Sequence, residues 1–127
     1  MTKMSNTTPY ENPQNYNVFA VECPSRKLLT DATRRWSILV LSALLAKPLR
    51  FGELRHEIEG ISDRMLSQTL VLLVDDKLVS RTCDPDTPVY SLTEPGKIMA
   101  NQANELFTAI YKALDNMPQE DMPKHAE

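Results

Sequence analysis

Glycine is scarce in this sequence. There are three in 127 residues, and they are too far apart to build a phosphate-cradling loop. Cysteine is scarcer: Cys23 and Cys83 cannot make a disulfide framework. They form no CxxC pair, and the two histidines, His56 and His125, lie far apart, so neither a structural zinc site nor any other metal site is expected. No apolar run reaches the ~18–20 residues that a membrane span needs. The polar start, Met1 to Asn6, lacks the apolar segment of a signal peptide. These absences favour a cytosolic protein with free thiols and no membrane contact. There is also no nucleophile elbow and no paired catalytic histidine, so neither an enzyme nor a cofactor is expected.

What is present suits one packed domain. Apolar residues make up 42% of the chain. The net charge is −3, which is unusual for a nucleic-acid partner, but the charge is unevenly placed. Residues 25–82 carry ten Lys or Arg against seven Asp or Glu, whereas residues 83–127 carry three against eight. The first stretch is suited to phosphates and the second to another task.

Residues 1–20, rich in Asn, Thr, Pro and Tyr, read as an extended N-terminal arm: either a frayed end or a segment crossing to a partner through Val18, Phe19 and Val21. The domain proper spans residues 21–117, and residues 118–127 form a polar tail. Helical spacing predicts a short helix from Ser25 to Thr33 and a largely apolar, central one from Trp36 to Ala46, which Lys47-Pro48 ends. Leu49-Arg50 reads as extended, Phe51 to Ile58 as a short helix stopped by Gly60, and Asp63 to Lys77 as a helix capped by Ser62. Leu78 to Cys83 and Val89 to Leu92 read as a hairpin around a Pro/Asp-rich tip. Thr93 then caps a long last helix whose apolar stripe runs to Leu114. Helix, turn, helix and hairpin in this order make a winged helix-turn-helix: mainly α with a small β-hairpin and a long C-terminal dimerisation helix.

Several motifs stand in a distinctive order and spacing: Cys23-Pro24, Arg35-Trp36-Ser37-Ile38-Leu39-Val40-Leu41, Leu49-Arg50-Phe51-Gly52-Glu53-Leu54-Arg55, Gly60-Ile61-Ser62, Leu66-Ser67-Gln68-Thr69-Leu70, Asp76-Lys77-Leu78-Val79-Ser80-Arg81 and Tyr90-Ser91-Leu92-Thr93-Glu94-Pro95-Gly96. Together the chain resembles the HxlR-type branch of the MarR-like winged-helix regulators. The resemblance implies a homodimer that binds inverted-repeat double-stranded DNA, and a thiol sensor at Cys23 responding to an oxidant or a small molecule.

The residue types suit that reading. At the solvent-facing start of the helix that Ser62 opens, Ser62, Arg64, Ser67, Gln68 and Val71 are the DNA-binding candidates: Arg64 has the fork to pair with guanine, Gln68 suits adenine, Ser67 a base or phosphate, and Val71 a thymine methyl. Arg50, Arg55 and the hairpin's Arg81 suit phosphates, although ion pairs with Glu53 or Glu57 are an alternative for the first two. Arg34 and Arg35 read as surface charge. Cys23, ahead of Arg26 and Lys27 at a helix start, is a candidate for a lowered thiol pKa, with Cys83 as a partner; packing is the alternative for both. Phe19, Leu106, Phe107, Ile110, Tyr111 and Leu114 are the expected dimer contacts. Asp84 and Asp86 in the wing and the apolar run Thr69–Val74 keep a second function open, a winged-helix module that binds protein instead of DNA.

Overall fold

The computed structural model describes residues 14–82 and 86–124. The chain forms α1 (Pro24–Ala32), α2 (Arg35–Ala46), β1 (Leu49–Arg50), α3 (Phe51–Glu57), α4 (Asp63–Asp75), β2 (Val79–Arg81), β3 (Val89–Leu92) and α5 (Glu94–Asp115), followed by a 3-10 turn at Gln119–Asp121. The elements fall where apolar periodicity places them. One feature is added: Leu49-Arg50 is a strand. It pairs with the hairpin, so the sheet has three antiparallel strands in the order β1-β3-β2. Leu49 faces Tyr90 and Arg50 faces Val89 on one edge of β3, while Val79 faces Leu92 and Arg81 faces Tyr90 on the other.

The central position of α2 follows from its composition. It is apolar nearly all round, with Val40, Leu41 and Leu44 buried, and packs against α3, α4, α5 and β3. Leu54 from α3 and Leu66, Leu70 and Leu73 from α4 complete the core, with Leu78 and Val79 beneath the sheet.

Local chemistry sets the helix ends. Pro24 occupies the first turn of α1, where its missing N–H costs no hydrogen bond. Gly60, at φ +92, supplies the left-handed residue between α3 and α4. Glu53 accepts from the Arg50 backbone N–H at 2.9 Å. Only that half of a capping box forms, because an arginine side chain has no acceptor. Thr93 accepts from the Gly96 N–H at 3.1 Å and donates to the Lys77 carbonyl at 2.6 Å, tying the start of α5 to the turn after α4. Gly96 is required there, since a β-carbon would collide with the Leu78 carbonyl.

The described end of the arm is turned, not extended. Ala20 N–H donates to the Asn17 carbonyl and Cys23 N–H to the Ala20 carbonyl, both at 3.1 Å. Arg26 reaches back to the Phe19 carbonyl at 3.2 Å. Phe19 and Val21 stand 68% and 74% exposed. No described helix is long and apolar enough to cross a membrane.

Candidate nucleic-acid interface

The candidate reading face begins with the cap of α4. The Ser62 hydroxyl accepts from the Met65 N–H at 3.1 Å, which satisfies one first-turn donor and leaves the helix end open to solvent. Leu66, Leu70 and Leu73 then turn inward, and Arg64, Ser67, Gln68 and Val71 share the opposite, exposed face at i, i+3, i+4 and i+7. The apolar run Thr69–Val74 is resolved by the same geometry. Thr69, Leu70 and Leu73 are buried, Leu72 and Val74 are half-buried, and only Val71, at 69% exposure, faces solvent.

The basic residues divide into engaged and free. Arg55 pairs with Asp63 at 2.8 Å, so its carboxylate partner is neither Glu53 nor Glu57. Both side chains are more than half exposed, which makes the pair weak in water and exchangeable for a phosphate. Arg50 donates to the Thr87 carbonyl at 2.7 Å and so anchors the wing. Arg81 donates through Nε to the Tyr90 hydroxyl at 3.3 Å, leaving its outer nitrogens available. Arg64 has neither an ion pair nor a hydrogen bond among the described residues.

Two clefts flank α4. On the wing side, Phe51, Ser67, Leu70, Val71, Val74, Asp75, Arg81 and Tyr90 line a largely apolar groove of about 540 Å³. On the α2 side, Arg34, Arg35, Trp36, Met65, Gln68 and Thr69 line a second of about 390 Å³. The expectation of plain surface charge at Arg34 and Arg35 overlooked this cleft. An Arg-Arg-Trp run at the start of a buried helix is the signal available in the sequence.

Cys23 is the N-cap residue of α1 and is partly exposed. Its sulfur accepts from the Asn17 backbone N–H at 3.4 Å and from the Ser25 hydroxyl at 3.1 Å. These bonds, with the Ser25 backbone N–H, hold the thiol below its ordinary pKa. Arg26 and Lys27 have other partners. Arg26 holds the arm, and Lys27 bridges Asp31 at 2.6 Å and Asp76 at 3.0 Å, joining α1 to the end of α4. The expected partner Cys83 and the wing residue Asp84 lie outside the described residues. Among those that are described, no three His, Cys, Asp or Glu side chains converge to hold a metal.

The expected dimer contacts sit at the far end of α5. Its first half buries Gly96, Ala100 and Ala103, whereas Leu106, Ile110 and Tyr111 are 47%, 45% and 64% exposed, with Phe107 and Leu114 half-buried.

Known proteins carry the same architecture. The HxlR-like helix-turn-helix family model matches residues 32–118. The uncharacterized HTH-type transcriptional regulator YtfH of Escherichia coli (strain K12) is 36% identical over 120 residues, covering 91% of this chain and 92% of its own. The solved structure of ytfH from Salmonella typhimurium superposes with a TM-score of 0.71 at 36% identity, over 79% of this chain and 92% of that one. Diamide-treated YodB from Bacillus subtilis superposes at 0.59 with 26% identity, over 73% and 96%. The quinone-bound form of YodB superposes at 0.58 with 27% identity, over 75% and 100%. With more than half of its length matched and the winged-helix architecture in place, the chain belongs to the HxlR-like helix-turn-helix family of transcriptional regulators.

Proposed function

We propose that the protein is a sequence-specific DNA-binding regulator that acts as a homodimer on an inverted-repeat operator. The observation that carries this is the exposed stripe Arg64, Ser67, Gln68 and Val71, held on the fully buried Leu66 and Leu73 of a helix whose N-terminal end is open. Such a stripe offers a guanine fork, an adenine-reading amide and a methyl contact in one register. The competing protein-binding reading keeps less support, because within Thr69–Val74 only Val71 is exposed; the largely apolar groove on the wing side of α4 is what still favours it. The exposed apolar residues of α5, with Phe19 and Val21, supply the face for a second copy. An isologous pair would set two reading helices about 34 Å apart, one DNA turn.

Cys23 is the effector site in this reading. It is accessible and its thiolate is favoured by three N–H and O–H donors, which suits a thiol oxidant or an electrophile such as a quinone. The diamide-treated and quinone-bound states of YodB support that class of effector. The test is fluorescence anisotropy of the reduced protein with DNA from upstream of its own gene. Tight, salt-sensitive binding that exceeds binding to random DNA, and changes on diamide only when Cys23 is present, is the expected result. No binding even to random duplex at low salt would overturn it.

A further inference from the structure

We propose that the cleft between the first turn of α2 and the exposed face of α4 is a docking site for the DNA backbone, with Arg34 and Arg35 each neutralising a phosphate, and that this cleft outweighs the wing as the anchor beside the reading helix. The inference rests on the DNA-binding reading above and assigns it a second contact surface.

Position is the first argument. Gln68 lies on the reading stripe and also lines the cleft, so a strand whose bases meet Gln68 passes directly over Arg34 and Arg35. The second is charge. Two guanidinium groups line this cleft and no carboxylate does, whereas the groove on the wing side sets Asp75 against Arg81. Asp31 is the acid nearest Arg34, but the contact is long, at 3.9 Å, and Asp31 already has Lys27 at 2.6 Å. The Arg34 side chain is 61% exposed and free to turn to a phosphate.

Preorganisation is the third argument. The Arg35 guanidinium sits over the Trp36 ring, 4.7 Å from its centroid, and a stacked guanidinium loses less freedom when it pairs with a phosphate. On the wing, Arg81 commits its Nε–H to the Tyr90 hydroxyl. The acidic wing is then no obstacle to DNA binding, because the backbone is gripped on the other flank of α4.

The probe is a fluorescent 30-base-pair duplex of random sequence, since phosphate contacts do not depend on sequence. Each phosphate neutralised contributes about 0.9 to the slope of log affinity against log salt. Arg34→Gln with Arg35→Gln is expected to reduce the slope by about 1–2 units, and Arg34→Lys with Arg35→Lys to keep it, while Arg81→Gln changes it by less than about half a unit. Should the glutamine pair fail to fold by circular dichroism, Arg34→Gln alone, at an exposed position, is expected to reduce the slope by about 0.9. A wild-type slope in a folded glutamine variant overturns the proposal and leaves the DNA-binding reading intact. A larger loss at Arg81 than at the arginine pair also overturns it. Failure of the wild-type protein to bind the duplex at low salt would remove both.

Discussion

α4 and α5 are both amphipathic, yet the monomer treats their apolar stripes differently. α4 has 13 residues and buries Leu66, Leu70 and Leu73 completely, so its outward face is polar apart from Val71 and the partly exposed Met65. α5 has 22 residues and packs on α2, which has 12. At 1.5 Å per residue α5 outruns its support by about 15 Å. Its buried residues are the small ones near its start, and the large ones beyond Ala103 stay half in water. A stripe that is finished within the monomer leaves the other face for a polar partner, whereas an unfinished stripe needs an apolar one. That difference is what suits α4 to the proposed DNA contact and α5 to the proposed subunit contact.

The sharpest way to break this comparison is truncation. Leu73→Ala in the finished stripe is expected to cost about 3–4 kcal/mol in urea unfolding, because Leu73 is fully enclosed. Ile110→Ala, at 45% exposure, is expected to cost less than about 1 kcal/mol in a monomeric background. Equal costs would mean that the α5 stripe is finished after all. Next in size is the charge pair Ile110→Glu with Leu114→Glu. It is expected to convert a dimer peak to a monomer peak in size-exclusion chromatography, a weakening of at least about 100-fold, or ~2.7 kcal/mol. An unchanged dimer peak would place the subunit contact elsewhere.

Substitutions on the polar face of α4 are expected to act on specificity while leaving stability alone. Arg64→Ala should narrow the preference for operator over random duplex by about 1–2 kcal/mol and leave the melting temperature unchanged. A loss that is equal on both DNAs would make Arg64 a phosphate contact instead of a base reader.

The bridge from α1 to α4 responds to acid. The Lys27 ammonium, as a hydrogen-bond donor, holds Asp31 below the usual carboxylate range. Its stabilisation is therefore present above the unfolded pKa and is lost as pH falls through the lower, folded value. Burial, and then Asp31 itself, push Asp76 up, so its ionised form costs stability at neutral pH and that cost is relieved as pH falls. The two responses oppose each other in acid, the Asp76 relief coming above the ordinary carboxylate pKa and the Asp31 loss below it. Asp76→Asn removes one, so its melting temperature is expected to be higher at pH 7 and to fall more steeply in acid than the wild type. Superimposable profiles would show that Asp76 is not held above the ordinary carboxylate pKa in the fold.

The smallest expected effect is at Lys77, which holds φ +64 in the turn after α4. Lys77→Gly relieves a left-handed conformation and is expected to stabilise by about 0.5–1 kcal/mol, read as a rise in melting temperature. Destabilisation would show that the lysine side chain has a contact worth more than that strain.

Much of this architecture is legible in the chain because its signals are local. Ser62 and Thr93 are caps followed by periodic apolar residues, and Gly60 lies where the chain reverses, whereas α1 starts at Pro24, one residue before the Ser25 expected from spacing. The stripe of α4 was readable from spacing alone, and so was the exposure of Arg64, Ser67 and Gln68. Harder to read was Leu49-Arg50, whose pairing with Tyr90 and Val89 joins residues forty positions apart and leaves no periodic trace in two residues. The partners of the charged groups were equally hidden. Arg55 has acids at Glu53 and Glu57 in sequence but meets Asp63 across the turn, and Lys27 meets Asp76 on another helix.

The sequence by itself determined which segments become helices and strands, which face of each turns inward, and the family. Those depend on backbone propensity and on apolar periods of a few residues. Only the tertiary structure decided which cations stay available. Packing α1 on α4 takes Lys27 for two aspartates, pairing the wing with β1 takes Arg50, and the approach of α2 to α4 places Arg34 and Arg35 beside Gln68. Charge acts over distances set by the fold and not by the chain, so free and engaged arginines look alike until the helices are packed.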